Sequence, residues 1–397
     1  MIFYVNGVWK NHFRPLFLKL HRYTGLFLSL FLIFEGITGS LSVFRVELDA
    51  WLNPDLFKAK IVNKPIVPLN ILIGTIHKSN PDTSLLSIQF HPKKGLNGKA
   101  FILKKNNYKE EIFFNPYTGE IIGSRPVNGQ LKRRHDLIPF IYYLHYSMGF
   151  GSYGTLFLGF ISLIWVGDCI SGLLLTLPLS KTVWEKSFWH NWSKAWAISY
   201  KKISFRLLID LHRAPAMWFW GILLGIAISG VALSLGAFLF QPVIKFVFPS
   251  APVISCSTPP RTMPHFLSLE EAEQTVLQCA RQYGIKSSPT GALFLRKSTL
   301  ITFYAFTLGE KDATGLGSPV ISIDRRLGIT TINSLPGKGK LADTIIQLQG
   351  PWHSGHLLGM TGRILIFLSG IITALLSITG ILIFLRKKNI WIVKTKK

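Results

Sequence analysis

Residues 352–386 read WHSGHLLGMTGRILIFLSGIITALLSITGILIFLR, and this stretch decides the architecture. From Leu357 to Leu385 it is almost wholly apolar, with Arg363 near its start and Arg386-Lys387-Lys388 at its end. It exceeds the about 20 residues that a helix needs to cross a hydrocarbon core of about 30 Å. It therefore reads as a membrane-spanning helix with His353 and His356 at its entrance and a cationic stop at its exit. Three further apolar segments follow the same plan, each with one histidine at one end: His21, His145 and His212.

The chain has 397 residues, 48% of them hydrophobic, and a formal net charge of +25. That composition fits a membrane protein with substantial water-exposed parts. Beside four apolar segments, lipid headgroups rather than nucleic acid are the expected counter-charge. The three cysteines form no CxxC and no CxxCH motif. This argues against a thiolate zinc site, a thioredoxin-type centre and covalently attached c-type haem. Cys256 and Cys279 share one soluble region and are candidates for a disulfide. The first apolar segment is too long for a cleaved signal and lacks an A-x-A-type site, so it reads as a retained helix.

The expected fold is a four-helix transmembrane bundle carrying two α+β domains. A lead and first helix occupy 1–44, and the first α+β domain 45–140. The second helix takes 141–178, a Trp- and Lys-rich loop 179–206, and the third helix 207–241. The second α+β domain takes 242–350, the fourth helix 351–386, and the tail 387–397. Strands are expected at 85–90, 100–103 and 111–114, resuming at 121, and in the second domain at 292–296, 300–307 and 319–323. Ser268 with Glu271 three residues later is a capping-box pattern for a helix to about Tyr283. Asn115-Pro116-Tyr117-Thr118-Gly119-Glu120 is turn chemistry, and Asp324-Arg325-Arg326-Leu327-Gly328 ends the last strand of the second domain. Both domains thus close on strand–turn–strand with glycine in the turn, which reads as a degenerate internal repeat.

Orientation follows from the short basic segments. The lead to Arg22 has four Lys/Arg and no acid, the 179–206 loop six against one, and the tail from Arg386 six and none. The positive-inside rule places all three in the cytoplasm, and both long domains on the other side. His21 and His212 then lie at the cytoplasmic ends of the first and third helices. His145 and His353, or His356, lie at the outer ends of the second and fourth.

Two pairs of histidines result, one per membrane face. A pair of neutral imidazoles on facing helices is an axial ligand set for haem iron. Gly25, Gly149, Gly151, Ala216, Gly355 and Gly359 follow these histidines closely and leave gaps for a flat macrocycle. Arg22, Arg213 and Arg363 suit its carboxylates. Glu35 and Asp168 are acids at membrane depth, where such residues are costly and signal a polar role, in proton movement or in hydrogen-bonding a ligand. Against this, a helix-end histidine often just sits among headgroups. His77, His91, His135, His190 and His265 read as surface residues, and Met148 and Met360 as core fillers.

Leu20-His21-Arg22-Tyr23-Thr24-Gly25-Leu26, Leu144-His145, Asp210-Leu211-His212-Arg213 and His353-Ser354-Gly355 resemble, in order, the four helix openings of the PepSY-associated transmembrane helix proteins. Gly359 and Thr361-Gly362-Arg363 extend the fourth match. Ile37-Thr38-Gly39 and Ile378-Thr379-Gly380 are similar to its Thr-Gly helix signature, and Asn115 to Glu120 to the turn of a PepSY domain, with Asn where Asp is usual. His356 and Arg213-Ala214-Pro215-Ala216 depart from the pattern. The family includes inner-membrane ferric-siderophore reductases with two b-type haems. The resemblance implies that His21 and His212 hold a cytoplasmic-side haem and that His145 and His353 hold a periplasmic-side one. It also implies a bacterial inner-membrane location with periplasmic PepSY-like domains. A ferric siderophore or another ferric chelate would be the substrate. With no GxGxxG fingerprint, the electron donor would be a separate protein or a membrane quinol. Two other classes compete: a haem-free, membrane-anchored PepSY module that inhibits or regulates a peptidase, and a solute transporter working through Glu35 and Asp168.

Overall fold

The computed structural model describes residues 13–60, 64–89, 95–105, 108–127, 130–178, 183–199, 205–252, 254–256, 266–297, 300–309 and 315–387. His12, His91, His265 and the tail beyond Lys387 lie outside the described residues. The first half of the chain forms α1 (Arg14–Val43), α2 (Arg45–Leu52), α3 (Pro54–Phe57), α4 (Leu69–Ser79), β1 (Thr83–Gln89), β2 (Gly98–Lys104), β3 (Lys109–Phe114), β4 (Ile121–Pro126), α5 (Leu137–Ser147), α6 (Gly151–Thr176) and α7 (Lys186–Ser193). The second half forms α8 (Phe205–Ser234), α9 (Gln241–Val247), β5 (Ile254–Cys256), α10 (Leu269–Gln282), β6 (Pro289–Lys297), β7 (Leu300–Leu308), β8 (Val320–Asp324), β9 (Thr330–Ser334), α11 (Leu341–Ser354) and α12 (Gly359–Lys387). One unit comprises Met1–Phe44, Leu144–Val243 and Trp352–Lys397; the other comprises Arg45–Tyr143 and Ile244–Pro351.

The first unit is the helical one. α1, α6, α8 and α12 are each long and apolar enough to cross a membrane. α1 packs on α6 and α12, and α8 packs on the same two, so α1 and α8 are diagonal partners. Small residues allow the closest approach, as expected where no hydrophobic force drives helices together in lipid. A side chain at Gly36 would collide with the Gly370 carbonyl, and Ser40 donates across to Phe367 O at 2.8 Å.

The second and fourth helices are interrupted, where the sequence suggested continuous rods. α5 carries His145 and stops at Ser147. The chain then turns through Met148 (φ 49°) and Gly149 (φ 83°), and α6 opens at Gly151 (φ 58°). α11 carries His353 and stops at Ser354; Gly355 (φ 77°) and Gly359 (φ 59°) then make the turn into α12. The positive φ values explain the glycines. α11 also begins ten residues before Pro351, inside the segment expected to belong to the soluble domain.

The second unit corrects the expectation of two separate domains. Among the described residues its strands form one antiparallel sheet of nine, in the order β4-β3-β2-β1-β6-β7-β8-β9-β5. β1 and β6 join the halves, with Ser87 opposite Leu293 and Gln89 opposite Gly291. A single apolar core spans both, with Leu72 and Ile76 from α4 and Ala272 and Val276 from α10 packing over the strands. Each half is a helix followed by a four-strand meander, so the repeat is real.

Its two turns match bond for bond. Gly119 N donates to Asn115 O at 2.9 Å and Gly328 N to Asp324 O at 2.8 Å. Tyr117 N donates to Asn115 Oδ1 at 2.9 Å, and Arg326 N to Asp324 Oδ1 at 2.8 Å. Asn115 therefore does the work of the more usual Asp, since the turn needs only a side-chain acceptor. The Ser268 capping box forms reciprocally with Glu271. Cys256 of β5 is disulfide-bonded to Cys279 of α10.

Candidate functional site

The four histidines meet in two pairs. The ring centres of His21 and His212 are 6.3 Å apart. Those of His145 and His353 are 6.2 Å apart. His21 and His212 lie seven residues into α1 and α8, on diagonal helices. His145 and His353 lie on the short helices that lead into the other diagonal, α6 and α12. The interruptions are what set these two rings: each follows its histidine by two or three residues.

Every ring is held at Nδ1. His21 Nδ1 lies 3.0 Å from Asp168 Oδ1 and 3.5 Å from Ser171 Oγ. His145 Nδ1 lies 2.9 Å from Glu35 Oε2 and 3.3 Å from Thr38 Oγ1. His212 Nδ1 lies 3.0 Å from both Leu376 O and Thr379 Oγ1. His353 Nδ1 lies 2.8 Å from Ser229 Oγ. The hydroxyls give away their own protons to their own helices: Ser171 to Asp168 O, Thr38 to Phe34 O, Thr379 to Leu375 O and Ser229 to Ile226 O. A hydroxyl has one proton, so each then accepts from the imidazole. Nδ1 is therefore the donor in these contacts, and Nε2 of all four rings lies outside them. Among the described residues none of the four Nε2 atoms makes a hydrogen bond.

Four repeated tripeptides build these cradles: Ile37-Thr38-Gly39, Ile170-Ser171-Gly172, Ile228-Ser229-Gly230 and Ile378-Thr379-Gly380. The hydroxyl residue accepts from an imidazole, and in three cases the glycine clears space for the same ring. A Cβ at Gly39 would lie 2.9 Å from His145 Cε1, at Gly172 3.2 Å from His21 Cε1, and at Gly380 3.3 Å from His212 Cε1. Glycines next to the histidines in sequence do other work: Gly25 faces Asp168, and Gly149, Gly151, Gly355 and Gly359 shape the turns. Ser171 and Ser229 were missed as site residues, although the fourfold tripeptide is visible in the sequence.

A cavity of about 770 Å³ opens at the first pair, lined by His21, His212, Gly25, Ala216, Trp165 and Trp220 among others. This is within the range of cofactor-sized sites. Arg14, Arg22, Arg213 and Lys387 also line it, against the single acid Asp168. Arg213 is held by Asp210 Oδ1 at 2.8 Å and Lys194 O at 2.9 Å, and Arg14 by the Leu175 and Leu177 carbonyls. Arg363 is committed differently from the sequence expectation. It donates to Val43 O at 2.9 Å and lies over the Phe44 ring, tying α12 to the end of α1. His356 Nδ1 bonds Ser354 Oγ at 2.9 Å and does not join the pair. Met148 forms the turn, and Met360 is exposed rather than a core filler.

The donor set is compatible with a group that brings most of its own ligands. Among the described residues no three His, Cys, Asp or Glu side chains converge to hold a bare ion. Two opposed imidazoles suit an iron that brings four equatorial donors of its own, as haem does. Two imidazoles that shared one metal centre through Nε2, at about 2 Å per bond, would have ring centres about 6 Å apart. Both separations meet that requirement. The engaged Nδ1 atoms are the usual outer support of a metal-ligating histidine.

The family model described as PepSY-associated TM region matches residues 18–387, nearly the whole chain. No match was found among curated proteins.

Proposed function

The chain belongs to the PepSY-associated TM region family, and from that premise we propose that it is a di-haem electron-transfer protein of a bacterial inner membrane that reduces a ferric chelate. The carrying observation is the pair of ring separations, 6.3 and 6.2 Å, at opposite ends of one helical bundle. Bound b-type haem supplies reversible one-electron Fe(III)/Fe(II) chemistry at each end. His21 and His212 hold the group on the cytoplasmic side, and His145 and His353 the one on the periplasmic side. Arg22, with Arg14, Arg213 and Lys387 beside it, neutralises carboxylates at the first site. Asp168, Glu35 and the four hydroxyls keep Nδ1–H fixed, so that Nε2 presents its lone pair.

The substrate gains one electron and becomes Fe(II), which hard oxygen donors hold more weakly, so the iron is released. A siderophore is the expected chelate. The electron comes from a cytoplasmic protein or a membrane quinol. The basic segments at 1–22 and 179–206 support cytoplasmic termini. The Cys256–Cys279 disulfide supports an oxidising compartment for the sheet unit.

The test is an optical spectrum of the detergent-purified protein, oxidised and dithionite-reduced, with a pyridine haemochrome count. Two b-type haems per chain with low-spin bands are expected. His353→Ala should lose one of them, and His356→Ala should keep both. A colourless protein that takes up no added haem would sink the proposal and favour the haem-free regulatory module.

A further inference from the structure

The two histidines of each pair are not held alike. His21 and His145, in the first half of the chain, rest on carboxylates, Asp168 and Glu35. His212 and His353, in the second half, rest on neutral acceptors: the Leu376 carbonyl with Thr379, and Ser229. The division follows the tripeptide repeat. Asp168 and Glu35 stand three residues before Ser171 and Thr38. The residues at that position in the second half are Leu376 and Ile226, whose side chains offer no acceptor. The helix backbone fills in. Leu376 O receives His212 directly, and Ile226 O receives the Ser229 hydroxyl that in turn accepts from His353.

The carboxylates are also exchanged between helices. Glu35 on α1 serves the histidine that leads into α6, and Asp168 on α6 serves the histidine of α1. Their surroundings differ. Asp168 Oδ1 shares its acceptor capacity with Thr24, whose hydroxyl is 2.7 Å away and also 2.8 Å from Leu20 O. Glu35 Oε1 is buried and has no hydrogen-bond partner among the described residues.

We propose that Asp168 and Glu35 are the positioning residues that set the reduction potential at the two ends of the bundle, one each, and that the second half of the chain supplies only neutral support. This rests on the di-haem reading. An anionic acceptor on Nδ1–H makes the imidazole more electron-rich than a carbonyl or hydroxyl does, and a more basic ligand favours Fe(III) over Fe(II). Replacing the carboxylate with an amide of the same shape therefore raises the potential at that end only. Thr24 has one proton for Leu20 O and Asp168 Oδ1, and the anionic oxygen is the stronger acceptor. Donated there, it competes with His21 for the same carboxylate oxygen, so removing the hydroxyl strengthens the Asp168–His21 bond and lowers the potential at the first end.

The experiment is a spectroelectrochemical titration of the full-length protein in detergent, with haem content measured in parallel. Asp168→Asn should shift one of two one-electron transitions upward by tenfold or more in equilibrium constant, about 59 mV. Glu35→Gln should shift the other upward by a similar factor. Thr24→Ala should move the Asp168-linked transition downward. Asp168→Glu should return it toward the wild-type value. A merely structural role predicts loss of haem or no shift, and no opposite sign for Thr24→Ala. Two haems retained with unshifted potentials in Asp168→Asn and Glu35→Gln would overturn the inference and leave the di-haem reading standing. If Asp168→Asn loses its haem, Thr24→Ala decides: a downward shift supports the inference and an unchanged potential overturns it. A wild-type protein without haem would overturn both readings.

Discussion

At the scale of single residues, a ligand is only as well defined as the groups that keep it from turning. The four histidines were legible because each stands at the end of an apolar run. Of their supports, Glu35 and Asp168 stood out as acids at membrane depth, but which ring each serves did not, because every support comes from a different helix than its histidine, and spacing along one helix says nothing about what faces it from another. Thr38-Gly39 serves His145, more than a hundred positions on, and Ser171-Gly172 serves His21. This makes a sharp prediction. A Cβ at Gly39 would sit 2.9 Å from His145 Cε1, and one at Gly172 3.2 Å from His21 Cε1. A branched side chain at either position must push its ring away, and misplacement of outer support commonly costs 10–100-fold in metal affinity. On the di-haem proposal, Gly39→Val should therefore deplete the haem of the His145–His353 pair, and Gly172→Val that of the His21–His212 pair. Haem counts on the two variants, with each remaining transition assigned by potential, check this. Equal depletion of both sites by either variant would show general misfolding instead.

At the scale of elements, the strands of the two meanders and the long apolar spans followed from pattern, with alternation marking one and apolar runs the other, whereas β5 and the breaks before α6 and α12 did not. The helix α11 did not. Pro351 reads as a helix start, yet the helix begins at Leu341 and carries the proline inside it. The joined sheet also escaped, because the β1–β6 pairing depends on a contact between strands some two hundred residues apart. α11 matters because it bears His353, and its first turn is anchored by Asp343. That carboxylate accepts from Ala251 N at 2.7 Å and Lys340 N at 2.8 Å. Desolvation works to raise its pKa, but these two hydrogen bonds, helped by Lys245 and Lys340, outweigh it and hold the pKa below the ordinary value. A depressed carboxyl contributes stability that is full above its unfolded pKa of about 3.9 and lost as pH falls through the folded value. The site is partly exposed and screened by solvent, so the contribution stays below about 1 kcal/mol. Asp343→Asn should melt lower than wild type at pH 6, and the gap should close as pH falls below 4. Melting curves of the solubilised protein that stay parallel across that range would contradict the anchor.

At the scale of the whole molecule, the chain is two copies of one plan: a spanning helix, a helix with a four-strand meander, and a second spanning helix. The paired glycine turns make the duplication readable in the sequence. Its consequence needs the structure, because neither copy completes anything alone. Each histidine pair takes one ring from each half, His21 with His212 and His145 with His353. The sheet is likewise closed at its middle by β1 against β6. A half chain would present β1 or β6 as an open edge, which favours misassociation, and would offer a single imidazole at each end. Cutting the chain between residues 202 and 203, in the segment that joins α7 to α8, leaves every described element whole. Fragments 1–202 and 203–397 produced together should copurify and, on the di-haem proposal, carry both haems, because the interfaces that join them are those that build the sites. Each fragment produced alone should lack the low-spin bis-histidine spectrum. Two haems on a single isolated fragment would mean that the histidines pair within a half, against the geometry seen here. Copurified fragments with no haem would instead show that the covalent link holds the rings in register.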